Sequence, residues 1–312
     1  MIFVAGLWSS SNVMTSLYVS LLAGAALIAL AIGWLAWRQR TLPSALALMW
    51  LGLAVAEWTV TYALELSAPD FASKLVWAKL QYVGIVCVPV AWLVLAARVA
   101  GELAPMVPVR SARSAVIPFL RYGHITAFMM PQAARLGQAY APADSESLAG
   151  TAWVGRHLVL LAIPLLTLVL ALTNDLHHLL WSSVDLLAGI RFPALSVSYG
   201  PWFWVHASFS YLLLLIGSIQ LVQIIGVAPG IYRRQMILLL LSACVPWAGN
   251  ALYLARIAPL DPTPAAFAVS VLLLGWALLR FRFLWIVPFT HGAIIERLDD
   301  GVLAGGDVHH PA

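Results

Sequence analysis

Charge is what this sequence has least of. Lys, Arg, Asp and Glu make up 10% of 312 residues, against roughly 25% in a soluble domain. With 62% hydrophobic residues and a mean hydropathy of +0.91, that scarcity excludes an ordinary soluble fold and leaves an integral membrane protein. Cysteine is nearly absent: Cys87 and Cys244 each fall in an apolar run. They exclude a disulfide or metal framework and read as small buried core residues. Lysine occurs only at Lys74 and Lys79. No repeat of 20–50 residues and no low-complexity tract is visible. The N-terminus, MIFVAGLWSSSNVM, lacks a basic region and a small-residue cleavage site, so no removable signal peptide is expected.

What is present is a series of long apolar runs. A bilayer core of about 30 Å needs about 20 apolar residues as helix, and seven runs meet or approach that length: Met14–Trp37, Leu42–Leu66, Leu75–Ala100, Leu158–Thr173, Trp202–Gly226, Gln235–Ile257 and Pro264 to about Ile286. Basic residues set the orientation, because they stay on the cytoplasmic side. With the N-terminus outside, the inner side holds Arg38, Arg40, Arg98, Arg110, Arg113, Arg121, Arg135, Arg156, Arg233, Arg234, Arg280, Arg282 and Arg297. The outer side holds only Lys74, Lys79, Arg191 and Arg256. The expectation is an all-α integral membrane protein, a seven-transmembrane helix bundle with N-terminus out and C-terminus in.

The chain divides accordingly. Residues 1–100 carry the first three spans, 101–157 a connection, 158–287 spans four to seven, and 288–312 a cytoplasmic tail. The connection Glu102–His157 contains SAVIPFLRYGHITAFMM, which Pro118, Arg121 and His124 interrupt. It is expected to lie against the cytoplasmic membrane surface; an eighth span would carry the C-terminus outside, against the charge bias.

Polar groups inside or beside the spans are the functional candidates, since ionisable groups are costly there. Glu57 and Glu65 lie eight residues apart on the second helix, roughly on one face. Glu65 and Lys79 sit near the outer ends of consecutive antiparallel helices and are expected to form an ion pair. The outer loop Thr173–Trp204 collects Asn174, Asp175, His177, His178 and Trp181 at one end and YGPWFW at the other. Adjacent histidines point in different directions, so His177 and His178 suit helix capping better than a metal site. Asn250 follows Pro246 in the sixth span, where it can bond across helices or satisfy carbonyls freed by the kink. An aromatic belt at the outer interface accounts for many of the tryptophans, including Trp77, Trp181, Trp202 and Trp204. Together, Glu65, Gln81, Asn174, His178, Trp181, Tyr199, Trp202, Asn250, Tyr253 and Asp261 are expected to frame a ligand-responsive cavity at the outer face. Nothing in the sequence asks for a cofactor, a metal or a nucleic acid.

Several stretches, in order, resemble one family. They are AEWTVTYALEL, KLVWAKLQYVG, LALTNDLHHLLW, YGPWFW, VPWAGNALY and DPTPAAF. The family is the N-terminal seven-transmembrane sensor region of bacterial histidine kinases and related signalling proteins. The resemblance implies a multi-pass protein of the bacterial inner (plasma) membrane that detects a stimulus outside and passes it to a cytoplasmic output. FTHGAIIERLDDGVLA resembles the junction to a PAS domain or kinase, and Pro288 followed by the amphipathic Ile294–Asp300 would dock that partner. The connection Glu102–His157 is longer than the short inner loop usual in the family. His291 lacks the acidic neighbour and downstream proline of a phospho-acceptor, and no nucleotide-binding box is present. The chain is therefore expected not to be an enzyme but a stand-alone or truncated sensor whose partner is a kinase or PAS-containing protein; a homodimer stays open.

Three other readings compete. A rhodopsin-like photoreceptor needs a Schiff-base lysine in the seventh span, and both lysines lie at the start of the third. A small-molecule transporter would usually show paired broken helices or internal repeats. A ligand-free membrane scaffold would need no convergence of polar groups.

Overall fold

The computed structural model describes residues 2–103, 160–186, 194–228, 230–257 and 261–281. Nine helices and one hairpin are found among them. In chain order they are α1 (Ile2–Arg38), α2 (Pro43–Ser67), α3 (Phe71–Leu80), α4 (Tyr82–Leu103), α5 (Leu160–Leu172), α6 (Asn174–His177), β1 (Trp181–Leu186), β2 (Leu195–Tyr199), α7 (Pro201–Val227), α8 (Gly230–Leu254) and α9 (Thr263–Phe281). Five segments are long and apolar enough to cross a bilayer: Thr15–Arg38, Pro43–Ser67, Phe71–Leu103, Pro201–Gly226 and Tyr232–Leu254. α5 and the apolar part of α9, Thr263–Leu274, are shorter. The expected connection Glu102–His157 from residue 104 onward, the tail from residue 282 and Arg191 lie outside the described residues.

Six long helices close a ring. α1 packs on α2, α2 on α4, α4 on α7, α7 on α8, α8 on α9, and α9 returns to α1. α5 lies at the seam between α4 and α7: Ala171 packs with Ala78 and Tyr82, and Thr167 bonds α7 through Trp202. Burial inverts the soluble pattern. Thr59, Gln81, Gln220 and Ser242 are buried, while Leu17, Leu27, Trp50, Leu165, Leu212 and Leu272 face outward. An outward apolar sheath suits lipid, where helices gain little hydrophobic drive from meeting each other and associate through close packing. Gly84 of α4 provides such an approach. A Cβ there would lie 2.5 Å from the Ala54 carbonyl oxygen of α2. Cys87 and Cys244, expected in the core, are exposed on this outer sheath. They sit on the faces of α4 and α8 that turn away from the ring.

The two ends of the ring differ. At one end Arg38 and Arg40 lie over Trp34 and Trp37, 5.1 and 4.9 Å from the ring centroids. There the Ser44 N–H and hydroxyl of α2 both donate to Glu102 of α4, at 2.9 and 2.7 Å. An acidic side chain from a neighbouring helix thus caps a helix N-terminus, where the helix dipole favours negative charge. Arg233 and Arg234 start α8 at this end. The opposite end collects Glu65, Gln81, Asn174, Tyr253 and Asp261.

The stretch Thr173–Trp204, expected as an outer loop, holds α6 and the antiparallel hairpin β1–β2, so the fold is not purely helical. β2 reads LSVSY, and its burial alternates as the sequence does: Leu195, Val197 and Tyr199 turn inward, Ser196 and Ser198 outward. β1 enters through a bulge between Trp181 and Ser183. Gly200 closes the exit, donating to the Leu180 carbonyl at 2.9 Å. Any Cβ at 200 would run into the carbonyl of Leu179. Leu180, Trp181 and Leu195 bury against Ala78, Tyr82 and Val86, so the hairpin is a packed cap over the ring.

Candidate functional site

Inside the ring, beneath the hairpin, is a cavity of about 240 Å³. Each helix contributes one stripe at helical spacing. α2 gives Leu51, Val55, Trp58, Tyr62 and Glu65; α7 gives Phe203, His206, Ser210 and Leu214; α8 gives Ser242, Pro246, Asn250 and Tyr253. Alternating steps of three and four residues keep side chains on one face of a helix. The hairpin supplies Trp181, Leu195, Val197 and Tyr199 as a roof. Along α2, thirteen residues separate Gly52 from Glu65, so the lining spans about 20 Å of helix axis.

The wall is aromatic and its polar groups are clustered at the hairpin end. Trp181 donates its indole N–H to the Tyr82 hydroxyl at 3.1 Å, with ring centroids 5.6 Å apart in edge-on contact. Tyr199 stacks on Phe203 at 3.6 Å. Deeper in, Trp58 meets Phe267 edge-on at 5.2 Å, and the Tyr211 hydroxyl donates to Asn250 Oδ1 at 2.7 Å. Gln81 donates to Glu65 Oε2 at 2.5 Å. Asp261 accepts the Thr263 N–H at 2.9 Å, a cap that starts α9. Loss of water around Asp261 raises its carboxyl above the usual range, partly offset by the hydrogen bond from the Thr263 N–H. Burial likewise raises the Tyr199 phenol, helped by Tyr253 and Asp261.

Seven of the ten expected residues line this cavity: Glu65, Gln81, Trp181, Tyr199, Asn250, Tyr253 and Asp261. The other three do not, and each has another task. The Asn174 amide donates to the Trp181 carbonyl at 3.0 Å, and its oxygen accepts the Leu180 and Trp181 N–H groups at 3.1 and 3.0 Å. All its bonds go to the turn that aims β1. His178 is exposed in a left-handed conformation, φ 54°, ending α6. Trp202 bolts α7 to α5 by donating to Thr167 Oγ1 at 2.9 Å. His177 is bonded locally, to Thr173 at 3.2 Å and to the Leu179 N–H at 3.0 Å.

The expected Glu65–Lys79 pair is not formed. Lys79 instead reaches Asp175 at 2.5 Å, and it is the buried Lys74 that approaches Glu65. Its ammonium donates to the Glu65 and Leu66 carbonyls at 2.7 and 3.3 Å. A cation thereby satisfies the last carbonyls of α2, where the helix dipole is negative. Glu57 is likewise off the Glu65 face. Eight residues turn a helix through two circuits plus about 80°, which points Glu57 at Gly84 of α4.

Trp58, Tyr62, Tyr82, Trp92, His206, Tyr211 and Trp247 also line the cavity without having been singled out from the sequence. Their signal was available in the three-and-four spacing of aromatics with Glu65 and Asn250. Three of these residues carry a buried polar atom with no hydrogen-bond partner: Trp58 Nε1, His206 Nδ1 and Trp247 Nε1. Buried donors and acceptors are nearly always paired in proteins, which sets these three side chains apart in the wall.

A helical ring with an apolar exterior and a polar, aromatic chamber closed by a hairpin defines a multi-pass membrane protein with an enclosed cavity. The family model for the N-terminal 7TM region of histidine kinase matches residues 21–132 and 139–288. The chain belongs to that family, which is the sensor region and not the catalytic core of the kinases. No curated protein and no solved structure matches the chain.

Proposed function

We propose that this chain is a seven-span membrane sensor that receives its stimulus in the cavity under the β1–β2 hairpin and passes it to a cytoplasmic kinase or PAS-containing partner. α5 and α9 supply the fourth and seventh crossings, the N-terminus lies outside, and the arginine-bearing end of the ring faces the cytoplasm of a bacterial inner membrane. The observation that carries this reading is the cavity itself, lined from seven helices and the hairpin, with its polar side chains drawn from several of them.

A ligand signals only by favouring one helix arrangement over another. Here a guest touches α9 at Thr263, Phe267 and Ser270, and α9 packs in turn on α1, α2 and α8. α9 also runs from Thr263, next to Asp261 at the outer rim, to Phe281 at the opposite end, which makes it the transmitting element. The sensor reading is favoured over a transporter by the inner half of the ring. Leu48, Leu95, Leu103, Leu221 and Met236 there are between 0% and 1% exposed, a dry core where a transport route would need an opening. A scaffold without a ligand would need no enclosed cavity of this size.

The test is a transcriptional or phosphorylation reporter in the host, with Trp58→Phe, Trp181→Phe and Asn250→Ala introduced singly. The expected result is an altered response at normal protein level; three unaltered responses would remove the cavity from the mechanism. Orientation is tested separately. With Cys87 and Cys244 replaced by alanine, cysteines at Arg38 and Arg233 should be shielded from an impermeant thiol reagent in intact cells. Labelling at either would invert the topology.

A further inference from the structure

The chemistry of the cavity wall narrows the guest. Among the described residues, no lysine or arginine lines the cavity, whereas two carboxylates do, Glu65 and Asp261. Both nearby ammonium groups are committed elsewhere: Lys74 to the α2 carbonyls and Lys79 to Asp175. Glu65 is itself held by Gln81. Asp261 accepts the Thr263 N–H within its own turn.

The setting of Asp261 is specific. Tyr62, Tyr82, Tyr199, Tyr211 and Tyr253 line the same cavity as Asp261. A carboxylate among aromatic rings, with no lysine or arginine among the described lining residues, is an arrangement that holds organic ammonium ions: the rings present negative faces and the carboxylate supplies the counter-charge. Away from this end the lining turns apolar, through Val55, Ile85 and Val88 to Leu51, Gly52 and Ile32. Between the two regions sit the unpartnered N–H groups of Trp58, 8% exposed, and of Trp247, with His206, 4% exposed, nearby.

We propose that the cavity takes an amphiphilic organic cation, its ammonium group seated against Asp261 within the tyrosine ring and its apolar body directed towards the Gly52 floor. This inference rests on the sensory reading of the same cavity and adds the charge class of the stimulus. Ammonium and carboxylate form an ion pair in a site poor in water, where attraction between charges is stronger than in bulk solvent. Binding therefore depends on the positive charge and not merely on shape.

The test is direct binding to the full chain in lipid nanodiscs, read by tryptophan fluorescence and by thermal unfolding. The probes are benzoylcholine, its neutral carbon isostere 3,3-dimethylbutyl benzoate, and benzoate. Benzoylcholine should bind saturably, at least tenfold more tightly than the isostere, and benzoate should not bind. Asp261→Asn should weaken benzoylcholine about tenfold and leave the isostere unchanged, while Asp185→Asn on the exposed hairpin face changes neither. Because the charge comparison is made first on the unmodified chain, it stands even if the variant does not fold. Equal binding of cation and isostere, preference for benzoate, or no saturable binding of benzoylcholine overturns the proposal. The first two outcomes leave a ligand cavity and its sensory reading intact; that reading falls only if the reporter variants of Trp58, Trp181 and Asn250 respond normally.

Discussion

Asn174→Ala tests how the roof of the cavity is held. The native amide makes three hydrogen bonds: one to the Trp181 carbonyl and two from the Leu180 and Trp181 N–H groups. Asn174 is 3% exposed, Leu180 0% and Trp181 4%, so water cannot readily take over. At a net value of about 1 kcal/mol per bond, the substitution should cost about 3 kcal/mol. Each 1.4 kcal/mol is a factor of ten, so local opening of the hairpin should become more frequent by about two orders of magnitude. The assay is hydrogen exchange by mass spectrometry on the chain in nanodiscs. Amides of Leu180–Leu186 and Leu195–Tyr199 should exchange about a hundredfold faster in the variant. The middle of α2, held by its own ladder and by α1, should be unaffected. Unchanged hairpin exchange would refute the view that Asn174 positions the roof; equal acceleration in α2 would show that the hairpin and ring unfold as one unit.

Two further outcomes are expected. The Lys79–Asp175 pair has an Asp175 side chain 65% exposed, so a double-mutant cycle with Lys79→Met and Asp175→Asn should give a coupling below about 1 kcal/mol, fading as salt is added; a larger, salt-independent coupling would contradict that exposure. Burial raises the folded-state carboxyl of Asp261 above its unfolded value, so its contribution to stability is present below the unfolded value and lost as pH rises through the folded one. Unliganded Asp261→Asn should accordingly lose less thermal stability than the native chain as pH is raised through that window, and parallel melting curves would contradict the assignment.

Much of the architecture was legible because a bilayer imposes long, uninterrupted apolar runs, and those at Met14–Trp37, Leu42–Leu66 and Trp202–Gly226 reappear as α1, α2 and α7. The hairpin was not read, although LSVSY alternates strictly, because five residues carry only two periods and stood beside much stronger helical runs. Pairing partners were harder still. Lys79 meets Asp175 ninety-six residues along the chain, and nothing local distinguishes that partner from Glu65, which lies nearer in sequence and on an adjacent helix. Asn174 and Trp202 were grouped with the cavity because they are polar or amphipathic at the same end of the ring. Only side-chain direction separates a residue that aims the roof from one that lines the chamber. Tyr62 and His206 were missed for the converse reason: they lie deeper in their spans than the outer ends that drew attention.

The central claim is that occupancy of the chamber controls output, and a cysteine placed in its wall tests it most directly. Ser210 lines the cavity, while Ser196 faces outward on the hairpin. In a chain with Cys87 and Cys244 replaced by alanine, Ser210→Cys and Ser196→Cys are each modified to completion with a small membrane-permeant maleimide, and reporter output is measured in the host. The account predicts that filling the chamber at position 210 fixes the output at one level, insensitive to the stimulus, while modification at 196 leaves the response intact. A normal response from fully modified Ser210→Cys would contradict it.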